Sequence, residues 1–278
     1  MADEEQVAWL TDQIANSLTK AQVTMKAVAD STHEFDRVMG RRLEDVRTLP
    51  DTASRVRRAE GEGRVARNGD ERDQADRVVR GGFRSAQETA GQLAGRLGDA
   101  QRELGELRED IERSSKMLAG GTKALDELES LPGRKTPETE NLRSRLENFR
   151  RGVDAAATNL DQAMGRLQTA RRTATEFEVR PMAIDDSGRV SGAIEATSSD
   201  LKTEVKAARA GLEGLTRQVD NDQPNAHKAA AQSVELANAA RAGLNPTQPS
   251  AQRATAGKAE QDLRHREGAQ SALRGLDR

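Results

Sequence analysis

The chain contains no cysteine, no tyrosine, one tryptophan and four phenylalanines among 278 residues. Without cysteine it can form no disulfide, no thiolate metal site and no cysteine nucleophile, although this leaves its compartment open. The shortage of aromatic side chains removes the large anchors that dominate most globular cores and interfaces. With 35% hydrophobic and 32% charged residues, the composition favours elongated helices that bury narrow stripes.

Two further absences concern membranes and overall charge. No continuous apolar run is long enough to predict a transmembrane helix, and the acidic N-terminus lacks the apolar run of a cleaved signal peptide. The net charge of −2, from 44 basic and 46 acidic residues, gives no overall field toward nucleic acid or an anionic membrane. We expect a cytoplasmic protein, and secretion by a route without a cleaved signal peptide is also compatible.

The first periodic segment covers residues 1–49. Its apolar residues recur every seven positions, at Val7, Ile14, Ala21, Val28 and Phe35. This spacing predicts an amphipathic N-terminal helix that ends at Leu49-Pro50, because proline disfavours a helical conformation in the residue before it. From 50 to 82 the apolar spacing fades among arginines and glycines, which predicts a charged linker or a marginal helix.

The strongest pattern spans residues 83–178, where two apolar runs each alternate spacings of three and four. Its main seam residues are Leu93, Leu97, Leu104, Leu107, Ile111, Leu146, Phe149, Val153, Leu160 and Leu167. Such sustained spacing predicts a coiled-coil seam. Pro132-Gly133 interrupts the pattern and Thr136-Pro137 can start a new helix, so residues 132–137 are predicted to form the tip of an antiparallel hairpin.

A third periodic run over residues 188–222 predicts a helix that packs on this hairpin. Residues 223–278 predict short Ala-rich helices with a frayed C-terminus. Together these patterns predict an all-α protein, an elongated antiparallel coiled coil or helical bundle built around a long αα-hairpin. The N-terminal helix could join this bundle or bind a partner.

Motifs for catalysis or cofactor binding occur only as fragments. Three histidines, at positions 33, 227 and 265, have no His or carboxylate partner at the i, i+4 spacing of a metal site. A Ser-x-x-Lys spelling at 17–20 lies in an amphipathic helix, and a glycine-rich stretch at 61–66 follows no predicted strand. We therefore predict no enzyme activity, no catalytic residue, no metal and no cofactor.

A group of arginines provides candidate partner contacts: Arg55, Arg57, Arg58, Arg64 and Arg67. A solvated linker is the first interpretation, because carboxylates are interleaved with these cations. An acidic protein partner is the second. Nucleic acid is the third, because no aromatic side chain offers a platform for stacking bases.

The leading functional hypothesis is a non-enzymatic structural or scaffolding protein that binds itself or another protein. The alternative is a peripheral protein whose amphipathic helices coat a membrane or an apolar granule. A nucleic-acid organiser that uses the 55–67 stretch is the weakest hypothesis. No motif in the chain identifies a family.

Overall fold

The computed structural model of the chain describes residues 2–42, 44–182 and 189–244, with all their side chains except those of residues 2, 3, 39, 41, 42, 44 and 45. Five α-helices make up nearly all of these ranges, which contain no β-strand. The helices are α1 (Ala2–Arg42), α2 (Thr48–Val65), α3 (Gly69–Ser130), α4 (Pro137–Glu178) and α5 (Val190–Leu244). The predicted all-α helical bundle is confirmed.

The helices form four antiparallel columns, and α1 and α2 share one of them. Both pack against α3 and α5, while α4 packs against the same two helices, and few contacts join α3 directly to α5. Asp36 of α1 pairs with Arg209 of α5, and Arg57 of α2 pairs with Glu195. The later residue, Arg57, pairs with the earlier position of α5, so the α1–α2 column runs antiparallel to α5. Helix α2 therefore continues along α5 in the same direction as α1. The longest helix, α3, has 62 residues and is about 90 Å long.

Mostly small and aliphatic side chains, together with four phenylalanines, fill the interior of the bundle. All ten predicted seam residues are buried, and alanines such as Ala90, Ala156 and Ala170 are completely inaccessible. Some buried hydroxyls are satisfied within their own helix, because Thr32 and Ser114 donate to the carbonyl oxygens four residues earlier. The core is therefore a set of continuous narrow stripes.

Of the two alternatives predicted for residues 50–82, a linker or a marginal helix, the structure has helix, since these residues form most of α2 and the start of α3. The apolar pattern looks weak in the sequence because two of the buried residues are alanines. Leu49, Ala53, Val56 and Ala59 make a buried stripe with spacings of three and four. Pro50 does not end a helix here, since it lies in the first turn of α2, where its missing N–H is tolerated.

The predicted end of the third helix near residue 222 is wrong. Helix α5 continues through Pro224 to Leu244, although a proline inside a helix removes one backbone hydrogen bond. The buried stripe continues beyond it through Ala226, Ala229 and Ala230, which gives the helix a packed face on both sides of the proline. Residues 245–278 of the predicted C-terminal region lie outside the described residues.

Two helix ends are held by side chains from other helices. Glu60 of α2 accepts hydrogen bonds from the backbone N–H groups of Val190 (2.6 Å) and Ser191 (3.2 Å), so its carboxylate caps the start of α5. At the end of α4, the Gln87 amide of α3 donates to the carbonyl oxygens of Phe177 and Glu178. These contacts fix the relative axial positions of four helices.

The hairpin tip lies between Ser130 and Pro137. Gly133 has a φ of 71°, a left-handed conformation that suits glycine. Arg143 of α4 binds Glu129 of α3 at 2.6 Å just inside the tip, and these hydrogen bonds raise the pKa of the Arg143 guanidinium. This ion pair thus joins α3 to α4 next to the turn.

Candidate interaction groove at the helix break

The five arginines predicted as partner contacts lie along α2 and just beyond its end. Arg57 pairs with Glu195 of α5, whereas Arg55 donates to the hydroxyl of Thr52 in its own helix. Exposed side chains also occur at positions 58, 64 and 67, the last beyond the end of α2. The structure therefore engages two of the five arginines in intramolecular contacts and distributes the set over α2 and the segment that follows it.

The isolated catalytic fragments also remain apart. His33 lies 3.6 Å from Asp220, with both side chains more than half exposed, and Ser17 packs at Gly121, where α1 approaches α3. Within the described ranges, no three His, Cys, Asp or Glu side chains are grouped so that they could hold a metal ion. His265 lies outside those ranges.

A cationic groove lies where α1 gives way to α2. A 3-10 turn at Glu44–Arg47 separates the two helices, and this column faces α5 across the groove. The cavity has a volume of about 750 Å³. Its lining residues are Gly40, Val46, Arg47, Pro50, Lys202, Val205, Lys206, Arg209, Ala210 and Glu213. We call this surface the break groove.

Among the described residues that line the break groove, four side chains are cationic and one is a carboxylate. Lys202 and Lys206 are exposed and lie one turn apart on α5, so they present their ammonium groups on the same side of the helix. Neither lysine forms an ion pair with a described residue, and the same holds for Arg47 across the groove. The described lining therefore carries a net positive charge in a chain that is nearly neutral.

Arg209 is held in place at the edge of this cluster. Its guanidinium donates to both carboxylate oxygens of Asp36, at 3.0 and 3.2 Å. The hydrogen bonds with Asp36 raise the pKa of Arg209, so the side chain stays charged and oriented. This pair also joins α1 to α5, which makes one wall of the groove part of the rigid bundle.

Apolar groups lie beneath the charges. Val46 and Val205 are buried at the base of the break groove, while Pro50 is exposed at its rim. The groove can therefore pair with anions at its edges and accept aliphatic side chains between them. The side chains of residues 41, 42, 44 and 45 adjoin this region in sequence and lie outside the described set, so the charge count refers to the described lining.

A second groove of about 710 Å³ lies at the hairpin-tip end. Val7, Leu128 and Leu236 contribute apolar surface, but the charged lining mixes cations such as Arg145 and Lys228 with the carboxylates of Glu138 and Glu235. This second groove has no dominant charge that would select a class of partner.

Sequence reasoning missed the break groove because its parts are distant in the chain. The two lysines at i, i+4 on α5 were visible as a local signal, and Pro50 marked the neighbourhood of the break. Nothing in a one-dimensional pattern places Arg47 opposite residues about 155 positions later. The contact arises only because the α1–α2 column packs along α5.

In the described part of the chain, no helix has both the length and the apolar character required to cross a bilayer. Comparisons of the sequence and structure with protein-family models, curated proteins and solved structures find no match.

Proposed function

We propose that this protein is a non-enzymatic scaffold, a rigid helical rod that acts by binding another protein on its outer surface. The observation that supports this proposal is the internal burial of every predicted seam. Ten seam residues from α3 and α4 are inaccessible or nearly so, and α1 contributes its own buried stripe to the same core. Because these apolar stripes are buried inside the bundle, a partner protein would bind to the charged outer surface.

Pairing of charges across the columns supports a rod with one fixed arrangement. Arg108 joins α3 to Asp161 of α4, Arg166 joins α4 to Glu204 of α5, and Arg241 joins α5 to Asp12 of α1. Each exposed pair contributes little stability by itself, on the order of 0–1 kcal/mol. Opposite charges at matching heights nevertheless disfavour shifted packings, which would place like charges together.

The membrane-coating alternative has less support. A coating protein must expose its apolar stripes to lipid, so the four columns would have to separate and lose their common core. Among the described residues, the exposed large hydrophobic side chains are few and scattered: Trp9 and Val23 on α1, Val65 on α2, Val78 on α3, Val179 and Met182 after α4, and Val234 on α5. They do not form the continuous apolar face of an interfacial helix.

Light scattering coupled to size exclusion, with small-angle X-ray scattering on the same peak, tests the scaffold proposal. We expect a rod with a maximum dimension of about 90 Å, set by the length of α3. A monomer of this shape supports partner binding, while a stable oligomer of such rods supports the self-associating form of the scaffold. A compact sphere or an expanded flexible chain would overturn the proposal.

A further inference from the structure

We infer that the break groove binds an acidic segment of a partner protein, in which aliphatic side chains alternate with carboxylates. This inference rests on the scaffold proposal and specifies the kind of partner and the place where it binds. It combines two independent features of the groove, its excess positive charge and its apolar base.

The first feature selects carboxylates. Lys202 and Lys206 project from one side of α5, and Arg47 lies on the opposite wall, so cations flank the groove on both sides. Each is exposed and forms no ion pair with a described residue. An acidic segment that lies between the walls would therefore gain new charge pairs without breaking existing ones, and these would guide association and orientation.

The second feature argues for a peptide rather than a purely anionic polymer. Buried Val46 and Val205 form an aliphatic base, and Pro50 adds apolar surface at the rim. A volume of about 750 Å³ accommodates a few side chains. Leucine- or valine-sized groups would bury surface there, which neither a phosphate chain nor a free anion can do.

Nucleic acid fits the same groove less well. The described residues that line the groove include no aromatic side chain that could stack on a base. Further along α2, Arg57 is paired with Glu195 and is therefore not free to bind a phosphate backbone. The groove is thus a local site for a short segment.

The test uses the full chain and fluorescence anisotropy with a short labelled peptide that repeats Glu-Glu-Leu. The groove variant carries Lys202→Glu and Lys206→Glu. The control carries Lys20→Glu and Lys26→Glu, two exposed lysines on α1 that change the net charge by the same amount. We expect the control to bind like the wild type and the groove variant to bind roughly tenfold or more weakly.

Two more probes separate the chemical sources of binding. A Gln-Gln-Leu peptide should bind weakly, because it keeps the apolar groups and loses the charges, and a Glu-Glu-Ser peptide should also bind more weakly than Glu-Glu-Leu. A Lys202→Gln, Lys206→Gln variant, checked by circular dichroism, replaces the charge-reversal variant if the latter fails to fold.

Equal affinity of the groove variant and the control would overturn the inference, as would stronger binding of a DNA oligonucleotide than of the acidic peptide at the same salt concentration. Scattering on the same samples distinguishes the two proposals. If the protein is a rod that does not bind the peptide, the acidic-segment inference is wrong and the scaffold proposal is unaffected. A particle that is not a rod would remove the scaffold proposal itself.

Discussion

At the scale of single residues, the turn between α3 and α4 depends on a reciprocal cap. The Thr136 hydroxyl accepts from the Thr139 N–H at 3.4 Å, and the Thr139 hydroxyl accepts from the Thr136 N–H at 3.0 Å. Hydrogen bonding with Thr136 also lowers the pKa of the exposed Glu138 carboxyl. The two threonine hydroxyls therefore accept hydrogen bonds from backbone N–H groups at the start of α4, and the nearby Glu138 is stabilised in its charged form.

Replacing Thr136 tests this cap. Thr136→Ala should lower the free energy of unfolding by about 1 kcal/mol at neutral pH, whereas Thr136→Ser, which keeps the hydroxyl, should stay close to the wild type. Urea denaturation monitored by circular dichroism measures both values. A Thr136→Ala protein as stable as the wild type would contradict the assignment of the cap.

The same variant should change the pH dependence of stability. Because folding lowers the pKa of Glu138, its contribution is fully present above the ordinary pKa of 4.5 and is lost as the pH falls through the lower folded value. The difference between wild type and Thr136→Ala should therefore be larger at neutral pH than near pH 3. An equal difference at both pH values would show that Glu138 does not contribute through this hydrogen bond.

At the scale of helices, close approach decides where glycine is required. A Cβ atom on Gly211 of α5 would lie 3.2 Å from the backbone oxygen of Asn159 and 3.3 Å from the nitrogen of Ala163, both on α4. A Cβ on Gly165 would meet no atom within 4 Å. One glycine therefore allows two helix backbones to pack, while the other is free to change.

These two positions should respond to alanine in opposite directions. Gly165→Ala should raise the free energy of unfolding by up to about 1 kcal/mol through helix propensity alone. Gly211→Ala should lower it by about 1–3 kcal/mol, because the neighbouring backbone must move. Matched thermal and chemical unfolding curves provide the comparison. Stabilisation by both substitutions would mean that the α4–α5 contact can relax without cost.

The helices differ in how far their sequences reveal them. Leucines such as Leu97, Leu104 and Leu160 mark the α3–α4 seams unambiguously, because their spacing persists over many turns. For α2 the sequence left a linker and a marginal helix open, because two of its buried positions are Ala53 and Ala59, which contribute little hydrophobic contrast next to arginine and glycine. Propensity likewise suggested a stop at Pro224, and packing of the following alanines overrides it.

The candidate groove was less predictable than the helices that build it. Lys202 and Lys206 are ordinary surface lysines until the column with Arg47 is placed beside them. Heptad patterns specify which face of each helix is buried, but they do not specify which helices become neighbours. Contacts between distant parts of the chain, such as Asp36 with Arg209, show which helices are neighbours, and these are visible only in the folded structure.

At the scale of the whole molecule, α3 connects the other parts of the bundle. It packs against α1, α2 and α4 along its 62 residues. Loss of its seam would therefore disturb three interfaces at once, including the column that forms one wall of the break groove. Binding in that groove should consequently require the intact bundle.

Leu104→Asp tests this dependence, because Leu104 is completely buried in the α3 seam. Loss of the leucine costs about 2–5 kcal/mol, and an unpaired buried carboxylate adds several more. The sum approaches the typical total stability of about 5–15 kcal/mol, so cooperative thermal unfolding should disappear. Leu104→Met, which conserves most of the volume, should cost less than about 1.5 kcal/mol and keep the transition. Circular dichroism melting curves decide the outcome, and a Leu104→Asp transition unchanged from the wild type would mean that α3 does not form the core assigned to it.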